Sequence, residues 1–292
     1  RNWLLLHETD SAALANLTNA DTFSGMKASG HDTSILNVNV GSTAPSGTYN
    51  VKVTQLAQAQ VLSAQGQASN KVPVGSGTPT TISFSFGTVS GGTLTNGKYN
   101  GATFTQNGNL AGGSIKIDAS NNTLSGIRDA INSANLGVSA SIVNDGSGNP
   151  YRLVLTSTAG GSNSEMKISV SGDSTLSSLL SQDPAGTQNM TEVTTGQNAQ
   201  ATINGIAVQS PTNTLSNVVT GTSFTLAKTG STTVTVANDP TATTTAVTNF
   251  VNGYNALRTQ LNGLTNIDTA NKANNGPLAG DVSTKTLINQ IT

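Results

Sequence analysis

The sequence predicts a multi-domain α+β protein in which helical segments at the two ends flank a long β-rich middle. Three observations predict this class. Short alternating apolar runs bounded by turn residues fill the chain between about residues 34 and 236. After residue 240 the apolar spacing changes to three and four, which is typical of a helix. The 292 residues are also enough for two average domains.

Composition limits the function classes. Hydrophobic residues make up 35% of the chain, and a further 31 residues are glycines, which add no side chain to a core, so we expect thin cores. With 13 Lys and Arg against 14 Asp and Glu, the net charge is −1. So few cations cannot neutralise many phosphates, and we expect no nucleic-acid partner. The absence of cysteine excludes disulfides, thiolate nucleophiles and cysteine-based zinc sites.

The ends of the chain carry no targeting signal that we recognise. The apolar run at residues 3–6 is far shorter than the roughly 20 residues of a membrane span. It also lacks the flanking features of a secretory signal. We therefore expect no membrane insertion, and the Arg at position 1 indicates a piece of a longer protein.

Several runs predict strands, and two pairs of runs predict hairpins. Residues 35–40 and 48–53 alternate and are separated by the turn-forming stretch 41–47, so we expect them to pair. Residues 141–143 and 151–155 are separated by a run of Asp, Gly, Ser and Asn, which predicts a second hairpin. Further strands are predicted at 81–86, 114–117 and 138–143.

One short helix is predicted within the β-rich middle. Thr123 is a suitable N-cap, and Leu124, Ile127 and Ile131 follow at helical spacing. Gly137 lies beyond the predicted end of the helix. This helix makes the middle of the chain α+β.

A longer helix of about 20 residues is predicted after residue 240. Its apolar positions form a heptad stripe, the residues of which are Val247, Phe250, Tyr254, Leu257, Leu261 and Leu264. Such an amphipathic helix must cover its apolar side with a partner. The stripe serves packing inside one subunit, assembly between subunits, or both, since periodicity does not separate these roles.

The partner predicted for this helix is a helical segment at residues 12–17, at the other end of the chain. If the two ends pair antiparallel, the middle is an insertion on a helical leg. Polar stretches at 60–80 and 182–200 indicate a second insertion inside the first. The predicted domains are a helical leg (1–33 and 240–292), a β-rich head (34–70 and 191–239) and an inserted α+β outer head (71–190).

Motifs for chemistry are weak, and we predict no catalytic, cofactor-binding or metal site. Residues 92–98 match the start of a phosphate-binding loop, but Tyr99 replaces the required Ser or Thr, which favours a surface loop. The only histidines, His7 and His31, lack metal-type spacing and favour surface positions. The stretch at 145–149 has a single aspartate, too few acidic ligands for calcium, and is typical of a hairpin tip.

Several segments resemble the bacterial flagellar filament cap protein family, also called hook-associated protein 2. The sequence GTYNVKVTQLAQAQ at 47–60 is similar to the N-terminal signature of that family. Agreement continues in order, through TLSGIRDAIN at 123–132, residues 137–156, INGI at 203–206, FVNGYNAL at 250–257 and GPLAGD at 276–281. The resemblance covers most of the chain from about residue 21 onward.

The resemblance implies a structural, non-enzymatic protein at the flagellar tip. Family members form a ring-like homo-oligomeric plate outside the cell, where arriving flagellin folds and inserts. The implied partners are other copies of the chain, flagellin, the hook–filament junction proteins and an export chaperone before secretion. The resemblance also implies a leg with two nested β-rich heads, in a fragment that lacks the terminal coiled-coil legs.

Two other function classes stay open on the sequence. Some cap proteins bind host mucin, so the polar, turn-rich region between about residues 71 and 190 makes an adhesin for mucin or glycans the alternative. A secreted carbohydrate-active enzyme is the third class. It would need two carboxylates about 5–10 Å apart in one cleft.

Overall fold

The computed structural model describes residues 15, 17–284 and 286, which form two compact units. Unit 1 contains the described residues up to 29, residues 40–47, and the described residues from 236 onward. Unit 2 contains residues 30–39 and 48–235. The predicted helical segment at 12–17 lies almost entirely outside the described residues. The chain is a multi-domain protein of β-sheets with a few helices, which confirms the predicted class at this level.

The helices are α1 (Leu124–Ala134), α2 (Ser174–Leu180) and α3 (Thr241–Thr265), with 3-10 turns at Ala20–Phe23 and Lys272–Asn274. The strands are β1 (Met26–Ser29), β2 (Leu36–Val40), β3 (Gly47–Gln55), β4 (Val61–Ser63), β5 (Thr80–Ser90), β6 (Thr93–Thr95), β7 (Lys98–Asn100), β8 (Thr103–Gln106), β9 (Gly113–Ile117), β10 (Val138–Asn144), β11 (Tyr151–Ser157), β12 (Glu165–Ser171), β13 (Thr191–Thr194), β14 (Ala199–Ile203), β15 (Ile206–Ser210), β16 (Thr214–Ser216), β17 (Thr222–Leu226) and β18 (Gly230–Asn238).

One part of unit 2 is built from two antiparallel groups of strands. In the first group β3 lies between β18 and β14, and β15 pairs with the other side of β14. In the second group β17 lies between β16 and β2. Alternate side chains of β3 and β14 point inward, so that Val51 and Val53 are buried opposite Ile203 and Ala201.

The hairpin predicted between residues 35–40 and 48–53 is wrong. β2 pairs with β17, whereas β3 pairs with β14 and β18. The connection has a turn of its own, in which the amide of Ala44 donates to the carbonyl of Gly41 (3.1 Å). A connection of this length exceeds the two to five residues of a typical hairpin loop, so it leads the chain from one sheet to another.

The other part of unit 2 contains two four-stranded sheets and the main core. One sheet has the order β10-β11-β4-β13. In the other, β5 pairs with β12, β8 and β9. The buried side chains of both sheets and of helices α1 and α2 form one hydrophobic cluster, which includes Leu62, Phe84, Ile127, Leu153 and Met166. The predicted strands at 81–86, 114–117 and 138–143 are confirmed.

The predicted central helix and the second hairpin are also confirmed. The hydroxyl of Thr123 accepts a hydrogen bond from the amide of Gly126 (3.0 Å), and Leu124, Ile127 and Ile131 are buried. β10 pairs with β11 in antiparallel register from Val138–Ser157 to Asn144–Tyr151.

Helix α2 was not predicted from the sequence. It has seven residues, and the carboxylate of Asp173 caps its first turn by accepting from the amide of Thr175 (2.7 Å). Leu176, Leu179 and Leu180 bury one side of it. A segment this short and rich in serine shows too little periodicity to separate it from a loop.

Unit 1 contains β1, α3 and both 3-10 turns. β1 pairs with β18, of which the last residues belong to this unit. The predicted long helix is confirmed, and α3 is 25 residues long. It begins directly after Pro240, which has no donor to lose at the start of a helix. Among the described residues, no helix is both long and apolar enough to cross a membrane.

Candidate functional site

The predicted apolar stripe lies along α3 in unit 1. Leu261 is buried (7% exposed), and four other members are half-buried, namely Phe250, Tyr254, Leu257 and Leu264. Val247 is 45% exposed, and the neighbouring Ala246 is buried instead. The covered side of the first turns therefore lies one residue earlier than the predicted stripe.

The N-terminal end of α3 is fastened to the early part of the chain. The hydroxyl of Thr243 donates to the carbonyl of Thr22 (2.9 Å), and the amide of Asp239 donates to the carbonyl of Gly25 (2.7 Å). The ammonium of Lys27 lies 3.6 Å from the carboxylate of Asp239. Chain segments more than 200 residues apart in sequence thus meet at the start of this helix.

The C-terminal end of α3 is covered by the segment that follows it. The amide of Leu278 donates to the carbonyl of Leu264 (2.9 Å), and the amide of Gly276 donates to the carbonyl of Asn266 (2.9 Å). A Cβ atom at Gly276 would lie 2.2 Å from the carbonyl oxygen of Leu264, so only glycine permits this approach. The backbone of the segment 276–281, which carries the sequence GPLAGD, therefore closes onto the end of the helix.

Two valines beside the covered side of α3 remain exposed. Val247 is 45% exposed and Val251 is 46% exposed. They are four residues apart and therefore share one side of the helix. Gln260, a polar residue of the same helix, is half-buried, and its Oε1 atom is enclosed without a hydrogen-bond partner among the described residues.

A second candidate site is a group of buried polar side chains in unit 2, here called the carboxyl cluster and formed by Gln60, Glu165, Glu192 and Tyr99. Gln60, Glu165 and Glu192 are 0%, 2% and 6% exposed. The amide nitrogen of Gln60 donates to the Oε2 atoms of both glutamates, at 2.9 Å in the case of Glu192. The side-chain oxygen of Gln60 accepts from the amide of Met166 (2.7 Å).

The remaining carboxylate oxygens of the carboxyl cluster are also hydrogen-bonded. Glu165 Oε1 accepts from the amide of Gly196 (2.8 Å), and Glu192 Oε1 accepts from the hydroxyl of Tyr99 (3.0 Å). Burial, with the charge of Glu192, raises the pKa of Glu165 to about 8. Burial and the two glutamate charges also raise the pKa of Tyr99, so its hydroxyl stays a donor.

The carboxyl cluster does not resemble the cleft of a glycosidase. Its glutamates lie in the interior and already bond to protein groups, so a sugar has no access to them. No group of three or more His, Cys, Asp or Glu side chains that could hold a metal occurs in the described part of the chain. His31 is half-buried rather than at the surface, and His7 lies outside the described residues.

The motifs that resembled ligand loops are hairpins. Residues 92–98 belong to the hairpin of β6 and β7, in which Leu94 lies opposite Tyr99. At the tip between β10 and β11, the carboxylate of Asp145 accepts from the amide of Ser147 (2.9 Å) and pairs with the guanidinium of Arg152 (2.5 Å). The tip at 145–149 has the turn role predicted for it, whereas residues 92–98 were predicted to be a surface loop and instead form a strand and the turn of a hairpin.

Sequence analysis missed the carboxyl cluster because its members are far apart in the chain. Gln60 lies 105 residues from Glu165 and 132 residues from Glu192. One signal was available: the chain has only three glutamates, and two of them lie within alternating strand sequences. Glutamate is depleted in strands, so these two positions were candidates for a specific polar contact.

Comparison with protein families and known proteins identifies relatives along most of the chain. Residues 5–60 match the flagellar hook-associated protein 2 N-terminus, residues 103–159 the flagellin hook IN motif, and residues 196–292 the flagellar hook-associated protein 2 C-terminus. Flagellar hook-associated protein 2 of Escherichia coli K12 is 34% identical over 97% of this chain and 58% of that protein. The chain thus spans a little over half of the length of this relative.

Comparison with solved structures identifies relatives of the same kind. The D1-D2-D3 domains of the flagellar cap protein FliD from Escherichia coli match 98% of this chain and 73% of that one, with a TM-score of 0.75 and 32% identity. FliD from Pseudomonas aeruginosa matches 81% of this chain and 99% of that one, with a TM-score of 0.61 and 30% identity. The resemblance found in the sequence is confirmed, and the chain belongs to the flagellar hook-associated protein 2 family, that of the flagellar cap proteins.

Proposed function

We propose that this chain is part of a structural cap at the distal end of a bacterial flagellar filament, where it promotes the folding and insertion of flagellin as a ring-like homo-oligomer. The observation that carries the proposal is the match of 98% of the chain to a cap-protein structure that contains three domains. The adhesin alternative gains no support from these comparisons, in which the relatives are named for the flagellar hook or cap.

The proposed architecture is a helical leg that carries two nested heads. The leg comprises residues 1–33 and 240–292, the inner head 34–70 and 191–239, and the outer head 71–190. The contacts of Thr243 with Thr22 and of Asp239 with Gly25 support the meeting of the two ends in the leg. The continuous core from Val74 to Met190 supports an outer head with its own interior, and Leu62 and Ala64, from the range of the inner head, join the same core.

In this proposal α3 has two roles. Its half-buried side, which includes Phe250, Tyr254, Leu257, Leu261 and Leu264, stabilises the leg. Its exposed Val247 and Val251 are available to a neighbouring subunit. Because each valine is less than half exposed, burial of both between subunits would contribute roughly 1.5–2.5 kcal/mol. The proposed partners are other copies of the chain, flagellin, the hook–filament junction proteins and the export chaperone, and the proposed location is the filament tip outside the cell.

Deletion of the gene in its own bacterium tests the proposed function. We expect short or absent filaments, loss of swimming, and flagellin monomers in the medium, because subunits that leave the channel would not be retained. Expression of the full-length wild-type protein should restore all three. A deletion strain that keeps long filaments and releases no flagellin would contradict the proposal.

Two variants in the same complementation assay test the role of α3. Leu257→Asp places an unpaired charge on the half-buried side, at a cost of several kcal/mol, and should fail to restore swimming. Asn262→Asp adds the same charge at an exposed position of the same helix and should restore it. Equal complementation by the two variants would show that this side of α3 is not needed.

A further inference from the structure

The carboxyl cluster lies where the chain passes twice between two sheets of unit 2. The first crossing leads from β3 to β4 and contains Gln60, and the second leads from β13 to β14 and contains Gly196. The two crossings are joined directly: the amide of Gln58 donates to the carbonyl of Gln197 (2.9 Å), and the reverse bond is 3.1 Å long.

The carboxyl cluster joins both crossings to the two four-stranded sheets of unit 2. Gln60, from the first crossing, bonds to Glu165 on β12 and to Glu192 on β13. Glu165 in turn accepts from the amide of Gly196 in the second crossing (2.8 Å). Tyr99 brings in the hairpin of β6 and β7 through its bond to Glu192 (3.0 Å). Four separate chain segments therefore meet at two carboxyl groups.

No cation balances these two carboxyl groups among the described residues. The titratable group whose charge acts on Glu165 is Glu192 of β13, and both glutamates act in turn on Tyr99 of β7. Lys167 is two residues along β12, but its ammonium pairs with Asp183 (2.6 Å) and lies 5.8 Å from the ring centre of Phe104. A neutral amide between two buried carboxylates compensates only part of their repulsion, so the pair favours the retention of one proton.

We propose that the carboxyl cluster is a proton-dependent clamp on the two crossings, which holds while the glutamate pair keeps a proton and loosens as the medium removes it. When the proton passes to solvent, two negative charges remain in the interior with one amide nitrogen between them. Entry of water and separation of β12 from the second crossing relieve both the repulsion and the cost of burial.

Hydrogen exchange of the full chain tests the clamp. We expect the opening of residues 55–61 and 192–199, after correction for the intrinsic pH dependence of exchange, to increase about tenfold per pH unit between pH 5.5 and 7.5 and to level off above pH 8. This range lies between the ordinary pKa of 4.5 for glutamate and the pKa of about 8 for Glu165. Equal opening at pH 5.5 and 7.5 in the wild type would overturn the proposal.

Two variants separate the clamp from general effects of pH. Glu165→Gln is neutral at every pH, as the protonated glutamate is, so opening should stay near the wild-type value at pH 5.5 and change less than twofold over the same range. Glu192→Gln keeps the hydrogen bonds, because its amide oxygen accepts from Gln60 and its amide nitrogen donates to the Tyr99 hydroxyl. It removes the repelling charge, so the increase with pH should be smaller than in the wild type, and it remains informative if Glu165→Gln does not fold.

Asp129→Asn is the matched control. The Asp129 side chain is 64% exposed and pairs with Arg128, so its substitution changes the net charge by the same amount outside the carboxyl cluster. This variant should show the wild-type response to pH. A wild-type slope in both glutamate variants would show that the carboxyl cluster does not control the crossings.

Discussion

Single glycines determine how closely the β6–β7 hairpin approaches the rest of unit 2. Gly97 has a φ of +72°, and its carbonyl accepts from the amide of Glu192 (2.9 Å). A Cβ atom at Gly97 would lie 2.4 Å from the methyl group of Thr191 and 2.7 Å from the carbonyl oxygen of Glu192. Gly101 has almost the same φ, +73°, but has no atom within 4 Å of its Cβ position.

These two glycines separate the cost of backbone strain from the cost of a collision. Gly101→Ala should lower the free energy of unfolding by about 1 kcal/mol, because alanine disfavours a positive φ. Gly97→Ala should lower the free energy of unfolding by roughly a further 1–3 kcal/mol, since the added methyl group displaces β13. Thermal or denaturant unfolding of the two full-length variants measures the difference. Equal losses of stability would mean that the hairpin moves away from β13 without cost.

At the scale of elements, α1 shows how a short helix is bounded. Thr123 accepts from the amide of Gly126 at its start, and Asn135 adopts a left-handed conformation (φ 50°, ψ 44°) at its end. The buried Leu124, Ile127 and Ile131 join α1 to the core of the two four-stranded sheets. Both ends of the helix are thus specified by local chemistry, and its position is specified by the core.

We expect Thr123→Ala to lower the free energy of unfolding of unit 2 by about 1 kcal/mol, because an unsatisfied amide remains in the first turn. Ser133→Ala, at an exposed position inside the same helix, should be neutral or slightly stabilising, since alanine favours helix. Calorimetry of the two variants makes the comparison. A loss in Ser133→Ala as large as that in Thr123→Ala would show that the cap is not the cause.

The elements that were predictable from sequence are those in which partners are close in the chain. α1 carries its cap and its buried side within a dozen residues, and β10 and β11 meet across one turn. The hairpin predicted for β2 and β3 was wrong because strand propensity does not identify a partner. β2 finds β17 more than 180 residues later, where the carbonyl of Ile35 accepts from the amide of Ala227 (2.8 Å).

The two candidate sites also differ in whether the sequence could predict them, and for the same reason. The stripe of α3 was predictable because a heptad repeats within one helix, although Val247 is more exposed than its neighbour Ala246. The carboxyl cluster was not predictable, because only the pairing of distant strands brings Gln60, Glu165 and Glu192 together. Periodicity reports on one element at a time, whereas buried polar contacts depend on the arrangement of several.

At the scale of the whole molecule, charged residues are few, and most of the described aspartates lie in loops. Hydrogen bonds from the hydroxyl and amide of Ser120 lower the pKa of Asp118, and the guanidinium of Arg152, together with Ser147, lowers the pKa of Asp145. The hydroxyl and amide of Ser76 lower the pKa of Asp173 to about 2. Glu165 differs from these aspartates, because burial raises its pKa to about 8. Unit 2 therefore contains carboxyl groups with opposite effects on stability as the pH changes.

These opposite pKa shifts predict that unit 2 is most stable at acidic pH. The aspartates have lower pKa values folded than unfolded, so their contribution is present above pH 3.8 and is lost as the pH falls towards 2. Glu165 has a higher pKa folded than unfolded, so its contribution is complete below pH 4.5 and is lost as the pH rises to about 8.

Calorimetric scans of the full chain from pH 2.5 to 9 should therefore show the highest unfolding temperature of unit 2 near pH 4.5 to 5. Above that, the free energy of unfolding should fall by up to about 1.4 kcal/mol per pH unit until pH 8. Glu165→Gln should remove this alkaline fall and keep the acidic one, because the aspartates are unchanged. Among the described residues Glu165 and Glu192 are the buried glutamates, so we assign the expected fall between pH 5 and 8 to this pair. A wild-type optimum at neutral pH would contradict the prediction, because it would mean that Glu165 ionises in the folded protein at little cost.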